Sequence, residues 1–129
     1  MIAIDTNIVV RFLTGDDPDQ SARARALIDS QPVFLPVTVA LETDWVLRSA
    51  YDFRPSEVIR ALRAFGGLPT VTVEDAEAVA ASLDLAEAGM DFADALHLTS
   101  AAQCTAFATF DRRLLRKAGG TGPVQVVEP

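Results

Sequence analysis

The chain has almost none of the residues that build transition-metal or disulfide sites. It holds one cysteine, Cys104, and one histidine, His97, in 129 residues. A single thiol cannot close an intramolecular disulfide, and a lone one suits a reducing cytoplasm. One thiol and one imidazole cannot supply the nitrogen and sulfur set of a zinc centre. No run reaches the ~18 apolar residues of a membrane span. No basic stretch leads into a long apolar one near the first residue, so no signal peptide is expected. Lysine is scarce as well: Lys117 is the sole lysine among 11 Lys and Arg residues, set against 18 Asp and Glu. The formal charge of −7 removes the bulk electrostatic argument for binding nucleic acid. RNA or DNA binding then requires local arginines and a bound cation to reverse the field. The arginine bias is compatible with phosphate contacts, which a planar guanidinium matches, and a high-GC codon background explains it better. There is no repeat, low-complexity tract or linker.

Half of the residues are hydrophobic, enough to bury a core in a chain of this length, and the whole of 1–129 reads as one domain. "IAI" at 2–4 is a short strand. "TNIVVRFLTG" follows with Ile8, Val9, Phe12 and Leu13 at helical spacing and Gly15 as its stop. "DDPDQSARARALIDS" is a second helix, capped by Asp16 or Asp17, with Ala22, Ala26 and Leu27 inward. "VFLP" at 33–36 is a strand. "VTVALETDWVLRSAY" and "RPSEVIRALRAF" are helices, the second ending at Gly66 and Gly67. "TVTV" at 70–73 is a strand, and "EDAEAVAASLDLAEAG" and "DFADALHLTSAAQC" are helices. "AFATF" at 106–110 is a strand, "DRRLLRKAGG" a short helix, "GGTGP" a turn at 119–123 and "VQVV" at 124–127 the last strand. Cys104, among Ala101, Ala102 and Ala106, reads as a small core residue. Short apolar strands alternating with helices predict a three-layer α/β/α fold around a mainly parallel central sheet.

The acids carry the chemistry. Ligands of open α/β sheets bind beyond the carboxyl ends of strands, and Asp5 and Asp111 each stand there, opening a helix. Each also makes an ordinary helix cap. Asp91 and Asp94 lie three apart in the first turn of a helix, where acids complement the backbone dipole. Glu42 is harder to explain as structure. Val39, Trp45 and Val46 share its helix face, and an unpaired charge on such a stripe is costly. So many like charges at one sheet edge need a cation, and hard divalent ions such as Mg²⁺ take carboxylate and water oxygens. His97, three after Asp94, is expected as a supporting or core residue. Arg112, Arg113, Arg116 and Lys117 are the densest basic run, candidates for RNA backbone contacts or a solvated helix face.

Four strings in order, "IDTN" at 4–7, "LETDWVL" at 41–47, "DFADALHL" at 91–98 and "ATFDRRL" at 108–114, resemble the PIN-domain ribonucleases, in particular the VapC-type toxins of prokaryotic toxin–antitoxin pairs. The resemblance runs from residue 2 to about 127. It implies an endoribonuclease that uses Mg²⁺ or Mn²⁺ and hydrolyses RNA phosphodiesters with a metal-activated water. Asp5, Glu42, Asp94 and Asp111 match the family's acidic quartet, and Asp91 an additional acid beside it. The metal ligands implied are Asp5, Asp91, Asp94 and Asp111. Thr6, Asn7 and Thr109 match residues that orient the site. The resemblance also implies a cytoplasmic homodimer inhibited by a cognate antitoxin protein, in a heterotetramer or a larger complex. Apolar surfaces of helices 37–50 and 55–65 are the expected dimer contacts. Three other readings compete. A receiver domain wants a phospho-acceptor aspartate after a middle strand and a lysine late in the chain, but "VFLP" ends without an acid and Lys117 stands in a helix, not after a strand. A haloacid-dehalogenase-like phosphatase wants a second acid two residues after Asp5, where Asn7 stands. A non-catalytic α/β interaction module leaves Glu42 unexplained.

Overall fold

The computed structural model describes residues 1–120 and 122–129; the turn expected at 119–123 includes Thr121, outside the described residues. The elements are β1 (Ile2–Ala3), α1 (Thr6–Thr14), α2 (Pro18–Ser30), β2 (Val33–Leu35), α3 (Val37–Tyr51), α4 (Pro55–Gly66), β3 (Val71–Val73), α5 (Ala76–Glu87), α6 (Phe92–Ser100), β4 (Phe107–Ala108), α7 (Arg112–Ala118) and β5 (Val126–Val127). They fall in two compact units, Met1–Ala76 and Glu77–Pro129. The α/β class and the parallel pairing are as expected from the alternation of strands and helices. The first unit carries a parallel sheet ordered β1-β2-β3, and the second a parallel pair, β4-β5. Among the described residues no helix is long and apolar enough to cross a membrane.

In the first unit, parallel neighbours force crossovers, which α1 and α2 make between β1 and β2, and α3 and α4 between β2 and β3. The core beneath them joins Ile4, Val9, Ile28, Val33, Leu35, Ala40 and Phe65. The Phe12 and Phe65 rings meet edge to face, 5.5 Å between centroids. Gly15 closes α1 at φ 65°, a left-handed position where only glycine avoids a Cβ penalty. Beyond it, Arg11 donates to both Asp16 and the Tyr51 hydroxyl, and Tyr51 donates to Asp16 at 2.6 Å. These bonds tie α1, the α1–α2 turn and the end of α3. They hold the Asp16 carboxyl below the usual range, the Tyr51 hydrogen bond first among the causes.

In the second unit, Met90, Ala95, Leu98, Leu114, Ala118 and Val124 form the core. Ser82 on α5 donates to the Thr99 hydroxyl on α6 at 3.0 Å.

Some sequence expectations are corrected. Ala22 and Ala26 are exposed; α2 turns Ala24 and Ile28 inward with Leu27 beside them. Of the two caps offered for that helix, Asp17 is the one, accepting from the Gln20 backbone. The helix expected over 91–104 ends at Ser100, and the chain turns back so that the Cys104 N–H reaches the Ala101 carbonyl. That turn leaves Cys104 exposed rather than in the core.

Candidate active site

Asp5 stands two residues beyond β1. It caps α1, its Oδ1 accepting from the Ile8 backbone at 3.0 Å. β1 and β2 are parallel neighbours, so α1 and α3 both start from the same end of the sheet. That shared origin places the first turn of α1 against the second turn of α3. The buried Thr6 hydroxyl donates to Oε1 of Glu42. Glu42 is thus an oriented carboxylate, and Thr6 is the residue that orients it.

Glu42 is itself exposed, which corrects the expectation of a buried charge on an apolar stripe. The inward face of α3 carries Ala40, Thr43, Asp44 and Leu47. The buried acid is Asp44, which the sequence reading does not single out. Arg48 clamps it with two bonds, Nε to Oδ1 at 3.0 Å and a terminal nitrogen to Oδ2 at 2.8 Å. The legible signal was an Asp and an Arg four residues apart on a helix.

Thr43, beside these, is fully buried, and its hydroxyl finds no hydrogen-bond partner among the described residues. An unmade bond leaves only the desolvation cost, and valine has the same shape. Thr43→Val is therefore expected to raise unfolding stability by about 1 kcal/mol, read as a higher urea midpoint at unchanged slope.

A cavity of ≈ 640 Å³ opens beside Asp5 in this unit. Its walls include Asn7, Arg11, Gln20 and Arg23. The volume is within the range of small-ligand sites. Arg11 and Arg23 bring positive charge to a wall that Asp5 makes negative.

The second unit holds the remaining acids. Asp91 caps α6, its Oδ2 accepting from the Asp94 backbone at 3.3 Å. Asp111 caps α7, its Oδ1 accepting from Arg113 at 2.9 Å and Leu114 at 3.2 Å. The Thr109 hydroxyl accepts from the Asp111 backbone at 3.0 Å and so fixes the turn that presents this acid. The cap roles of Asp5, Asp91 and Asp111 are real, but a carboxylate has about four acceptor positions and a cap bond uses one or two.

Asp94, half-buried in the first turn of α6, is the perturbed member. Partial burial pushes its carboxyl above the usual range, and the neighbouring charges of Asp91 and Asp111 push it further. His97 opposes the shift weakly. The histidine is exposed rather than in the core, its ring stacked 6.5 Å from that of Phe107. An acid raised in the folded state binds its proton more tightly there than in the unfolded chain. Its stabilising contribution is complete below the unfolded value of about 4 and is lost as pH rises through the raised one. In metal-free buffer, the stability of the wild type is expected to fall across that window relative to Asp94→Asn. Thermal unfolding of both from pH 4 to 7 checks this.

Of the basic run, Arg112 pairs with Glu128 at 3.4 Å, and Arg113, Arg116 and Lys117 are exposed along α7.

Each unit thus gathers hard oxygen donors: Asp5 and Glu42 in the first, Asp91, Asp94 and Asp111 in the second. Among the described residues, no three His, Cys, Asp or Glu side chains close into a metal-holding group. The donor chemistry still fits Mg²⁺ or Mn²⁺, which bind through one or two carboxylates and keep several waters. The like-charge crowding at Asp94 is what a cation relieves.

The sequence profile of the PIN domain matches residues 2–120, and the chain belongs to that family. PIN domains are generally metal-dependent nucleases. A search of curated proteins found no match.

Proposed function

We propose that this chain is a divalent-metal-dependent endoribonuclease and the toxin of a toxin–antitoxin pair, built as a single PIN-like domain over 1–129. The observation that carries the nuclease reading is the PIN-domain match over residues 2–120, and Asp94, half-buried in the first turn of α6 with Asp91 and Asp111 as charged neighbours, supports it. Perturbed acids with specific charge partners concentrate at functional sites. The toxin reading is supported by the resemblance of the four strings at 4–7, 41–47, 91–98 and 108–114 to VapC-type toxins.

The residues proposed to hold Mg²⁺ or Mn²⁺ are Asp91, Asp94 and Asp111 in the second unit and Asp5 in the first, where Glu42 is the other acid of the set. Bound there, the ion supplies charge stabilisation at the phosphate and a water of lowered pKa. Thr6 fixes the Glu42 carboxylate through its hydroxyl. Thr109 fixes the backbone at Asp111, and Asn7 lines the cavity beside Asp5. Arg112, Arg113, Arg116 and Lys117 offer phosphate contacts that offset the acidic total. The partners of this reading are RNA, a cognate antitoxin protein and a second copy of the chain, in a cytoplasmic assembly.

The test is incubation of antitoxin-free protein with a mixed pool of tRNA and messenger RNA, in Mg²⁺, in Mn²⁺ and in chelator. Cleavage confined to the metal arms, with no 2′,3′-cyclic phosphate on the products, is expected of water attack. Cyclic ends formed in chelator would overturn the mechanism.

A further inference from the structure

The cavity beside Asp5 is built from α1, α2 and the end of β1, wholly within the first unit. Its lining divides by chemistry. Ile4, Ile8, Ala24 and Leu27 give it an apolar surface, with Ile4 and Ala24 buried beneath. Asn7 and Gln20 bring side-chain amides, and Arg11 and Arg23 bring guanidinium groups. A site for phosphate alone has no use for four aliphatic side chains. A flat ring with polar edges uses both kinds of lining, its faces against the aliphatics and its edges against the amides.

Arg11 fixes one of those amides. Its Nε donates to Gln20 Oε1 at 2.8 Å, and a guanidinium only donates. The amide oxygen of Gln20 is therefore turned to Arg11, and its NH₂ is left as the group that donates. Arg11 is itself braced by Asp16 and Tyr51, so the donor stands on a held side chain. Arg23 is held more loosely. It pairs with Asp19 at 3.3 Å, with the two side chains 76 % and 79 % exposed. Such a pair contributes little, and a phosphate competes well for that guanidinium.

We propose that this cavity is a base-recognition pocket. It takes the nucleobase beside the cleaved bond, Gln20 selects that base by donating to an acceptor on its edge, and Arg23 contacts the phosphate of the same nucleotide. The proposal rests on the nuclease reading, because Asp5, a proposed metal ligand, stands in the cavity wall.

The first arm of the test needs no metal. Protein labelled with ¹⁵N is titrated in chelator with each of the four ribonucleoside 5′-monophosphates and with ribose 5-phosphate, and the side-chain amide signals are read by NMR. Asn7 is the sole asparagine, and the Gln20 signal is assigned by its loss in Gln20→Glu. Saturable shifts of both amides are expected with the nucleotides, larger for one base than for the others, and little from ribose 5-phosphate. The second arm is cleavage in Mn²⁺ of RNA randomised around the cut. The wild type is expected to prefer one base at one flanking position by about fivefold. Gln20→Glu keeps the volume and the bond to Arg11 but loses the donor, and it should level that preference. Arg23→Ala should instead raise KM by a similar factor for every sequence, since a backbone contact carries no sequence information.

Ribose 5-phosphate that shifts the amides as far as the nucleotides do overturns the proposal. So does cleavage without a base preference, or a preference that survives Gln20→Glu. Each of these leaves the nuclease reading intact. Absence of metal-dependent cleavage of every RNA by the wild type removes the nuclease reading instead, and the titration in chelator still decides whether the cavity binds a base.

Discussion

Asp94→Asn is expected to lower kcat/KM for RNA cleavage on the order of a thousandfold, with little change in KM. The carboxylate stands where partial burial and two neighbouring acids concentrate negative charge. Its proposed use is to hold a cation that acts chiefly on charge developing in the transition state, and losing one preorganised electrostatic group at such a point costs 10²–10³ or more. Asparagine keeps the shape and the oxygen but not the charge. It also relieves the crowding, so the variant should be at least as stable as the wild type in metal-free buffer at neutral pH. Loss of activity together with retained or higher stability separates a chemical role from a structural one. Circular dichroism melting beside the kinetics reads both.

The second large effect concerns stability. Arg48→Met is expected to cost about 3 kcal/mol, roughly a 10 °C fall in melting temperature for a domain of this size. The Asp44 side chain is only 4 % exposed, and Arg48 gives it two charge-assisted bonds. Methionine preserves the apolar stem that packs along the helix but strands the carboxylate in the interior, which is far more costly than the pair itself is stabilising. Asp44→Leu combined with Arg48→Met should recover most of the loss, because the buried charge is then gone from both sides. A double variant as unstable as the single one would show that packing by Arg48, not charge pairing, is what matters.

The fold was legible wherever local and tertiary preferences agree. α3 was read to its true ends, since Pro36 closes the preceding strand and Asp52 takes a left-handed position after Tyr51. α1 was read for similar reasons, with Asp5 at its start and Gly15 at its stop. The phase of α2 is not legible because alanine fits either face; Ile28 and Leu27 set the rotation, and Ala24 rather than Ala22 or Ala26 follows them inward. Residues 101–104 have good helix formers, yet the chain leaves the helix there to enter β4, as tertiary context overrides propensity. The acids are legible as residues, and the structure adds the caps and hydrogen bonds that place them. Thr6 was expected to orient the site, and its hydroxyl does reach Glu42, 36 positions away. Glu42 was assigned to a buried stripe because Trp45 lies one turn on, and that tryptophan proves to be exposed. Apolar character in a sequence does not say whether a ring faces the core or solvent.

The most direct measurement is the rate of RNA cleavage as a function of Mn²⁺ concentration, for wild type and Asp94→Asn side by side. A saturable, chelator-sensitive rise in the wild type, absent from the variant, is the result expected of a carboxylate-held cation. Equal cleavage by the two proteins, indifferent to Mn²⁺, would contradict it.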